Sequence, residues 1–171
     1  MKIMAASDIH GSLDRAKAIV DRFHEEGADK LLLLGDFLYH GPRNDIPEDY
    51  APKEVIKILN SEKDKIFAVR GNCDAEVDQM VLEFPIMAEY LWLESGGVMI
   101  FATHGHHMGP DNVPAFLKKG DILLCGHTHV TADEMIGDIR YMNPGSPSIP
   151  KNGTKPSYII IEDGKAELKG F

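Results

Sequence analysis

The apolar run Ile122-Leu123-Leu124-Cys125 passes directly into Gly126-His127-Thr128-His129. No other stretch limits the possible folds so strongly. It reads as a buried strand whose end presents two imidazoles on one side, because residues i and i+2 share a face. Burying an imidazole without a partner costs free energy. Two that face the same way call for a partner they can share. A metal ion meets that need, His being the commonest metal-ligating side chain.

Other apolar runs end in the same manner. Lys2 to Ser7 reads as a strand closed by Asp8-Ile9-His10-Gly11. Leu13, Ala16, Ile19, Val20 and Phe23 recur at helical spacing and predict a helix over Leu13 to Glu26, with Gly27 as its C-cap. Leu31 to Leu34 has the continuous apolar character of a parallel strand buried on both faces, and it ends at Gly35-Asp36. Tyr39 to Pro52 is polar and Pro-rich, a surface loop beside Asp36. A helix over Lys53 to Asn60 then leads to a strand over Lys65 to Val69, which runs into Gly71-Asn72-Cys73-Asp74.

Beyond this point the texture changes. Glu89 to Glu94 and Val98 to Ala102 flank Ser95-Gly96-Gly97 as a hairpin, the second arm ending at Thr103-His104-Gly105. A short helix is expected over Asn112 to Lys118. Two short strands are expected in Thr131 to Met142 around Gly137-Asp138, ending at Asn143-Pro144-Gly145-Ser146, and a last hairpin turns at Asp163-Gly164.

The strand ends thus carry Asp8, His10, Asp36, Asn72, His104, His127 and His129. Carboxylate, carboxamide and imidazole without thiolate suit first-row divalent ions, Mn²⁺ first, with Fe²⁺, Ni²⁺ or Zn²⁺ as alternatives. Seven ligands are too many for one ion and fit two that share a carboxylate. Two such ions, roughly 4 Å apart, can clamp a phosphoryl group and generate hydroxide between them. Each piece alone reads equally well as a turn or a helix cap; five in succession, each ending an apolar run, do not.

Asp8-Ile9-His10, Gly35-Asp36, Gly71-Asn72-Cys73-Asp74, Thr103-His104-Gly105 and Gly126-His127-Thr128-His129 resemble the signature of the calcineurin-like metallophosphoesterases. The Gly-Asn-Cys-Asp variant, the short length and Asn143-Pro144-Gly145-Ser146 resemble its small YfcE-type phosphodiesterases. The resemblance implies an α/β fold of four layers, α/β/β/α, in which two mixed sheets are flanked by helices. It implies that Asp8, His10 and His129 bind one ion, that Asn72, His104 and His127 bind the other, and that Asp36 bridges them. A bridging hydroxide would attack phosphorus in line, with Asn72 helping to hold the charge on the non-bridging oxygens. Asp74 would orient a ligand.

One position departs from the pattern. Many relatives carry His where this chain has Cys73, and that His is the expected proton donor to the leaving group. A thiol of reference pKa near 8.5 is a much poorer acid at neutral pH. The expectation is a preference for good leaving groups, or a different donor, with His106 a candidate; the alternative is that Cys73 only packs. His107, His24, His40 and Arg43 carry weaker expectations and read as solvated.

Composition limits the function further. At 171 residues, 43% apolar and 26% charged, the chain reads as one domain over 1–171 with a sizeable core. Its apolar runs are too short to span a bilayer. Asp8 and His10 interrupt the apolar start too early for a signal peptide, so a cytoplasmic protein is expected. Cys73 and Cys125 make no disulfide framework. A net charge of −9 argues against extended nucleic-acid binding and leaves room for a small phosphodiester held by metal. Phosphomonoester or nucleotide hydrolysis is the alternative chemistry. From another class, the metal-binding scaffold is the rival, since a retromer subunit resembles this fold. The apolar stretch Val81 to Leu93 allows a homo-oligomer.

Overall fold

The computed structural model describes residues 1–171. The first half of the chain forms β1 (Ile3–Ala6), α1 (Leu13–Glu25), β2 (Lys30–Leu33), α2 (Pro52–Ser61) and β3 (Ile66–Ala68), followed by the single turn α3 (Glu76–Gln79). The second half is almost all strand: β4 (Tyr90–Ser95), β5 (Val98–Thr103), β6 (Ile122–Leu124), β7 (Thr131–Ile136), β8 (Ile139–Pro144), β9 (Ser157–Glu162) and β10 (Lys165–Gly170).

These strands make two mixed five-stranded sheets, ordered β10-β9-β1-β2-β3 and β4-β5-β6-β8-β7. In the first, β1, β2 and β3 are parallel, and β9 returns antiparallel along β1. In the second, β5, β6 and β8 are parallel, with β4 and β7 antiparallel on the two edges. Side-chain alternation sorts β1 cleanly. Ile3 and Ala5 join Leu32, Leu34, Ile100, Ala102, Ile122 and Leu124 between the sheets. Met4 and Ala6 face the other way, against Ile19 and Phe23 of α1 and Val55 and Leu59 of α2.

Helix α1 forms where its apolar spacing and caps agree. Ser12 Oγ accepts from Arg15 N–H at 3.3 Å and donates to Asp49 at 2.6 Å, which ties the helix start to the long loop. Past its last turn, Gly27 takes φ +59°, and Ala28 N–H reaches back to Phe23 O at 3.3 Å, the left-handed ending that glycine favours.

The α/β sandwich implied by the resemblance is present, with one local difference. Asn112 to Lys118 is not a helix. Pro114 disfavours a helical Val113, and Gly109 and Asn112 exchange backbone hydrogen bonds instead. The segment still places Met108, Val113 and Leu117 on Phe101, Leu123 and Tyr141, so turns form the outer layer over the second sheet. The turn α3 was not expected from the sequence. No helix is long and apolar enough to cross a membrane.

Candidate metal centre

Asp8 and His10 follow β1, Asp36 follows β2, Asn72 follows β3, His104 follows β5, and His127 and His129 follow β6. Parallel strands place their C-terminal ends on one side, where α/β sheets collect ligands. Here the ends of both sheets converge. Asp8, His10, Asp36, His127 and His129 all take positive φ, between 49° and 68°. A left-handed non-glycine residue costs about 1–2 kcal/mol, so the surrounding structure must hold each turn in place. Strain concentrated at one spot marks a functional site.

The first group comprises Asp8, His10 and His129. His10 donates Nδ1–H to Tyr39 O at 2.8 Å, and His129 donates Nδ1–H to Ile149 O at 2.9 Å. A carbonyl can only accept, so Nδ1 carries the proton on both rings and the Nε2 atoms face inward. Those two Nε2 atoms stand 3.0 Å apart. Asp8 Oδ1 lies 3.3 Å from His129 Nε2 and 3.6 Å from His10 Nε2, buried and without a hydrogen-bond donor. Three converging acceptor atoms repel one another until a proton or a metal cation sits among them.

The second group repeats the pattern. His104 donates Nδ1–H to Leu34 O at 2.6 Å and aims Nε2 at Asn72 Oδ1, 3.1 Å away, and at Asp36 Oδ2, 3.5 Å away. His127 Nδ1 lies 3.3 Å from His104 Nε2. Asp36 Oδ2 is also 3.7 Å from His10 Nε2, which puts this carboxylate between the two groups. The expected seven residues are therefore together, and the donor chemistry fits divalent metal ions.

Electrostatics carry the same signal. Burial opposes charge on Asp8, yet His10, His129 and His104 hold its carboxyl well below the usual range. Burial would lower the His104 pKa, but Asp36 and Asp8 push it up to about 9. In the absence of metal the centre attracts protons, which an arriving cation would displace.

The supporting residues are as well defined. Asp74, deeply buried, accepts backbone N–H groups of Asp36, Phe37 and Gly71 at 2.7–2.9 Å and so fixes the turn that carries Asp36. Burial and the Asp36 charge push Asp74 up to about 6. Asp36 Oδ1 accepts from Cys73 N–H at 2.8 Å. The Cys73 thiol, half-buried beside Asp36, is pushed up to about 12. It lies with His10 and Asp36 and takes an N–H from Asn72 at 3.3 Å. His106 stands beside the second group, its ring 5.3 Å from that of His104, and its Nδ1 is buried without a partner. Burial and neighbouring histidines lower His106 to about 4.

Sequence reasoning missed the bracket behind the first group. Ser146 and Ser148 both donate to Asp8 O, at 2.7 and 2.9 Å, and Ser146 Oγ accepts from Ile149 N–H. Asn143 donates to Gly126 O and Thr128 Oγ1. The only sequence signal was the polar Asn-Pro-Gly-Ser ending of an apolar strand.

Known proteins share this arrangement of strands. Residues 1–165 match the calcineurin-like phosphoesterase superfamily domain. The chain is 50% identical to the phosphodiesterase YfcE of Escherichia coli K12, over 95% of this chain and 88% of that protein. The solved structure of the Escherichia coli phosphoesterase YfcE superposes with a TM-score of 0.91, covering 95% of this chain and 89% of that one. Phosphodiesterase MJ0936 of Methanocaldococcus jannaschii is 28% identical, over 99% of this chain and 97% of its own. Vps29 of Entamoeba histolytica, at 21% identity and a TM-score of 0.60 over 100% of this chain and 99% of that one, shares the fold. The chain belongs to the calcineurin-like phosphoesterase superfamily and is a phosphoesterase, a hydrolase of phosphate esters.

Proposed function

We propose that this chain is a dinuclear metal-dependent phosphodiesterase acting on small diesters. The single observation that carries the metal reading is the convergence of His10 Nε2, His129 Nε2 and the unpartnered Asp8 Oδ1. The diesterase reading is supported by the likeness to phosphodiesterase YfcE. Asp8, His10 and His129 would hold one ion and Asn72, His104 and His127 the other, with Asp36 between. Mixed oxygen and nitrogen donors favour Mn²⁺ first. When bound, the ions supply the activated water and neutralise charge on the phosphoryl oxygens.

The chain's own residues do the rest. His10, His104 and His129 keep their Nε2 atoms inward because backbone carbonyls occupy their Nδ1 protons. Asp74 holds Asp36 in line, and the Asn72 amide lies at the edge, placed to meet a non-bridging oxygen. Burial and the Asp36 carboxylate push the Cys73 thiol up to about 12, which makes it a poor acid, and burial beside other histidines lowers His106 to about 4. Esters whose leaving groups depart without a proton are therefore the favoured substrates. The free thiols of Cys73 and Cys125 support a cytoplasmic setting. Exposed Val81, Tyr90 and Trp92 support self-association, which sedimentation would read directly.

The test is hydrolysis of a chromogenic bis-aryl phosphodiester by metal-stripped protein, with Mn²⁺, Ni²⁺, Zn²⁺ or Mg²⁺ restored separately. An Asp36→Asn variant and a matched monoester run in parallel. Activity restored by metal, faster on the diester and lost in the variant, supports the proposal. Faster monoester turnover would move the reading to a phosphomonoesterase. Metal binding without turnover of either ester would replace it with a protein-binding scaffold.

A further inference from the structure

Beside the centre just described lies a second set of ligating side chains that the phosphoesterase reading does not use. Glu89, His106 and His107 offer one carboxylate oxygen and two ring nitrogens, all within 4.8 Å of one another. We propose that they form a third cation site, for Zn²⁺ or an ion of similar character, and that filling it restrains the enzyme.

Glu89 and His107 are held from behind. Glu89 O accepts from Thr103 Oγ1 at 3.2 Å, which anchors its backbone to β5. Arg70 Nη1 takes Glu89 Oε1 at 3.3 Å, while Arg70 Nε donates to Asp74 O at 3.2 Å. Arg70 is a nearby cation and weakens the pull of Glu89 on a metal, but it engages one oxygen and leaves Oε2 turned towards His107. The Oε2 to His107 Nδ1 separation is 3.5 Å, too long for a hydrogen bond. His107 O is fixed by Asn112 Nδ2 at 3.0 Å.

The independent observation is His106. Its Nδ1 is buried and has no hydrogen-bond partner, a state that costs free energy until something binds there. Its ring lies against that of His107, centroids 4.0 Å apart. Two imidazoles and a carboxylate are a donor set that zinc accepts with positions left open for water. Ligand atoms on a tetrahedral zinc sit about 3.3 Å apart, so closure from the observed spacing needs only small rotations. Glu89 and His107 are exposed enough to make them. A plain surface ion pair between these two would contribute little.

Position gives the site its consequence. His106 and His107 line a cavity of about 230 Å³ that also reaches His127 and Thr128. A hydrated cation at its edge would put charge and bulk beside the second ligand group, where an ester must approach. This restraint rests on the phosphodiesterase reading; the site itself does not.

Zinc titration of the metal-stripped full-length protein by calorimetry and equilibrium dialysis tests the site. Wild type should bind one more ion per chain than Glu89→Gln or His107→Ala, whatever the total. Equal stoichiometry in all three proteins would overturn the proposal. Thermal melts of the metal-free proteins check folding, and the isosteric Glu89→Gln keeps the comparison valid if His107→Ala is destabilised. Zinc beyond saturation of the other sites should slow wild-type diester hydrolysis at least fivefold and leave Glu89→Gln within twofold. Equal inhibition of both would overturn the restraint, while loss of one ion without any diesterase activity would keep the site and sink the phosphodiesterase reading.

Discussion

His10 and His129 meet nitrogen to nitrogen, Nε2 to Nε2 at 3.0 Å, although 119 residues separate them in the chain. Neither ring can turn away, because Tyr39 O and Ile149 O hold the opposite nitrogens. Metal should therefore stabilise the fold strongly. At one hundred times its dissociation constant, a ligand adds about 2.7 kcal/mol per site, so Mn²⁺ or Zn²⁺ should raise Tm by about 5–10 °C for each site it fills. Chelator should reverse the shift, and His129→Ala should lose at least half of it. Calorimetry with and without metal is the check; an unchanged Tm in wild type would refute the metal centre.

Gly71 and Asp36 are packed as closely as backbone allows. A Cβ at Gly71 would overlap Asp36 Oδ1 and the Asp36 backbone nitrogen, and Gly71 N–H donates to Asp74 at 2.7 Å. Gly71→Ala should displace the Asp36 carboxylate. A shift of about 1 Å costs on the order of a hundredfold in rate, and the overlap about 1–3 kcal/mol in stability. Steady-state turnover and a urea melt read the two effects separately. Turnover within threefold of wild type would contradict this packing argument.

The Cys73 thiol, pushed up to about 12, predicts a rate governed by the leaving group. Across a series of aryl and alkyl diesters, each unit of leaving-group pKa should cost more than about threefold in kcat. Cys73→Ser should leave aryl-ester turnover within about threefold, since no proton is taken from this position. A flat dependence on leaving-group pKa would reveal a proton donor that this account lacks.

Glu26 provides a pH signature remote from the centre. Partial burial works against its charge, but Tyr158, Lys169 and Lys2 overcome this and bring the pKa down from 4.5 to about 2. A depressed folded-state pKa stabilises above the unfolded value and is lost as pH falls. The contribution should be full above about pH 4.5 and vanish as pH falls through about 2. Glu26→Gln should cost about 1–2 kcal/mol at neutral pH, after allowance for solvent screening. Denaturant melts from pH 7 down to 2 should show the gap between the two proteins closing only below about 4.5.

Residue order alone limits which side chains can serve and roughly where they stand. Apolar runs marked the strands because burial between two layers demands unbroken hydrophobic stretches, and polar residues directly after them had to lie at strand ends. Asp8, Asp36, His104 and His127 were legible for that reason. What tertiary structure alone decided is direction. Leu34 O, which turns the His104 ring, lies 70 residues away from it, and a backbone carbonyl is identical in every residue and leaves no mark in the sequence. The Ser146 and Ser148 hydroxyls on Asp8 O span 138 and 140 residues and depend on how β8 returns beside β6. The expected helix at Asn112 to Lys118 failed because local apolar spacing cannot register Pro114 and the nearby surface of the second sheet together. Spacing names the candidate ligands; only packing across the two sheets aims their donor atoms at common points.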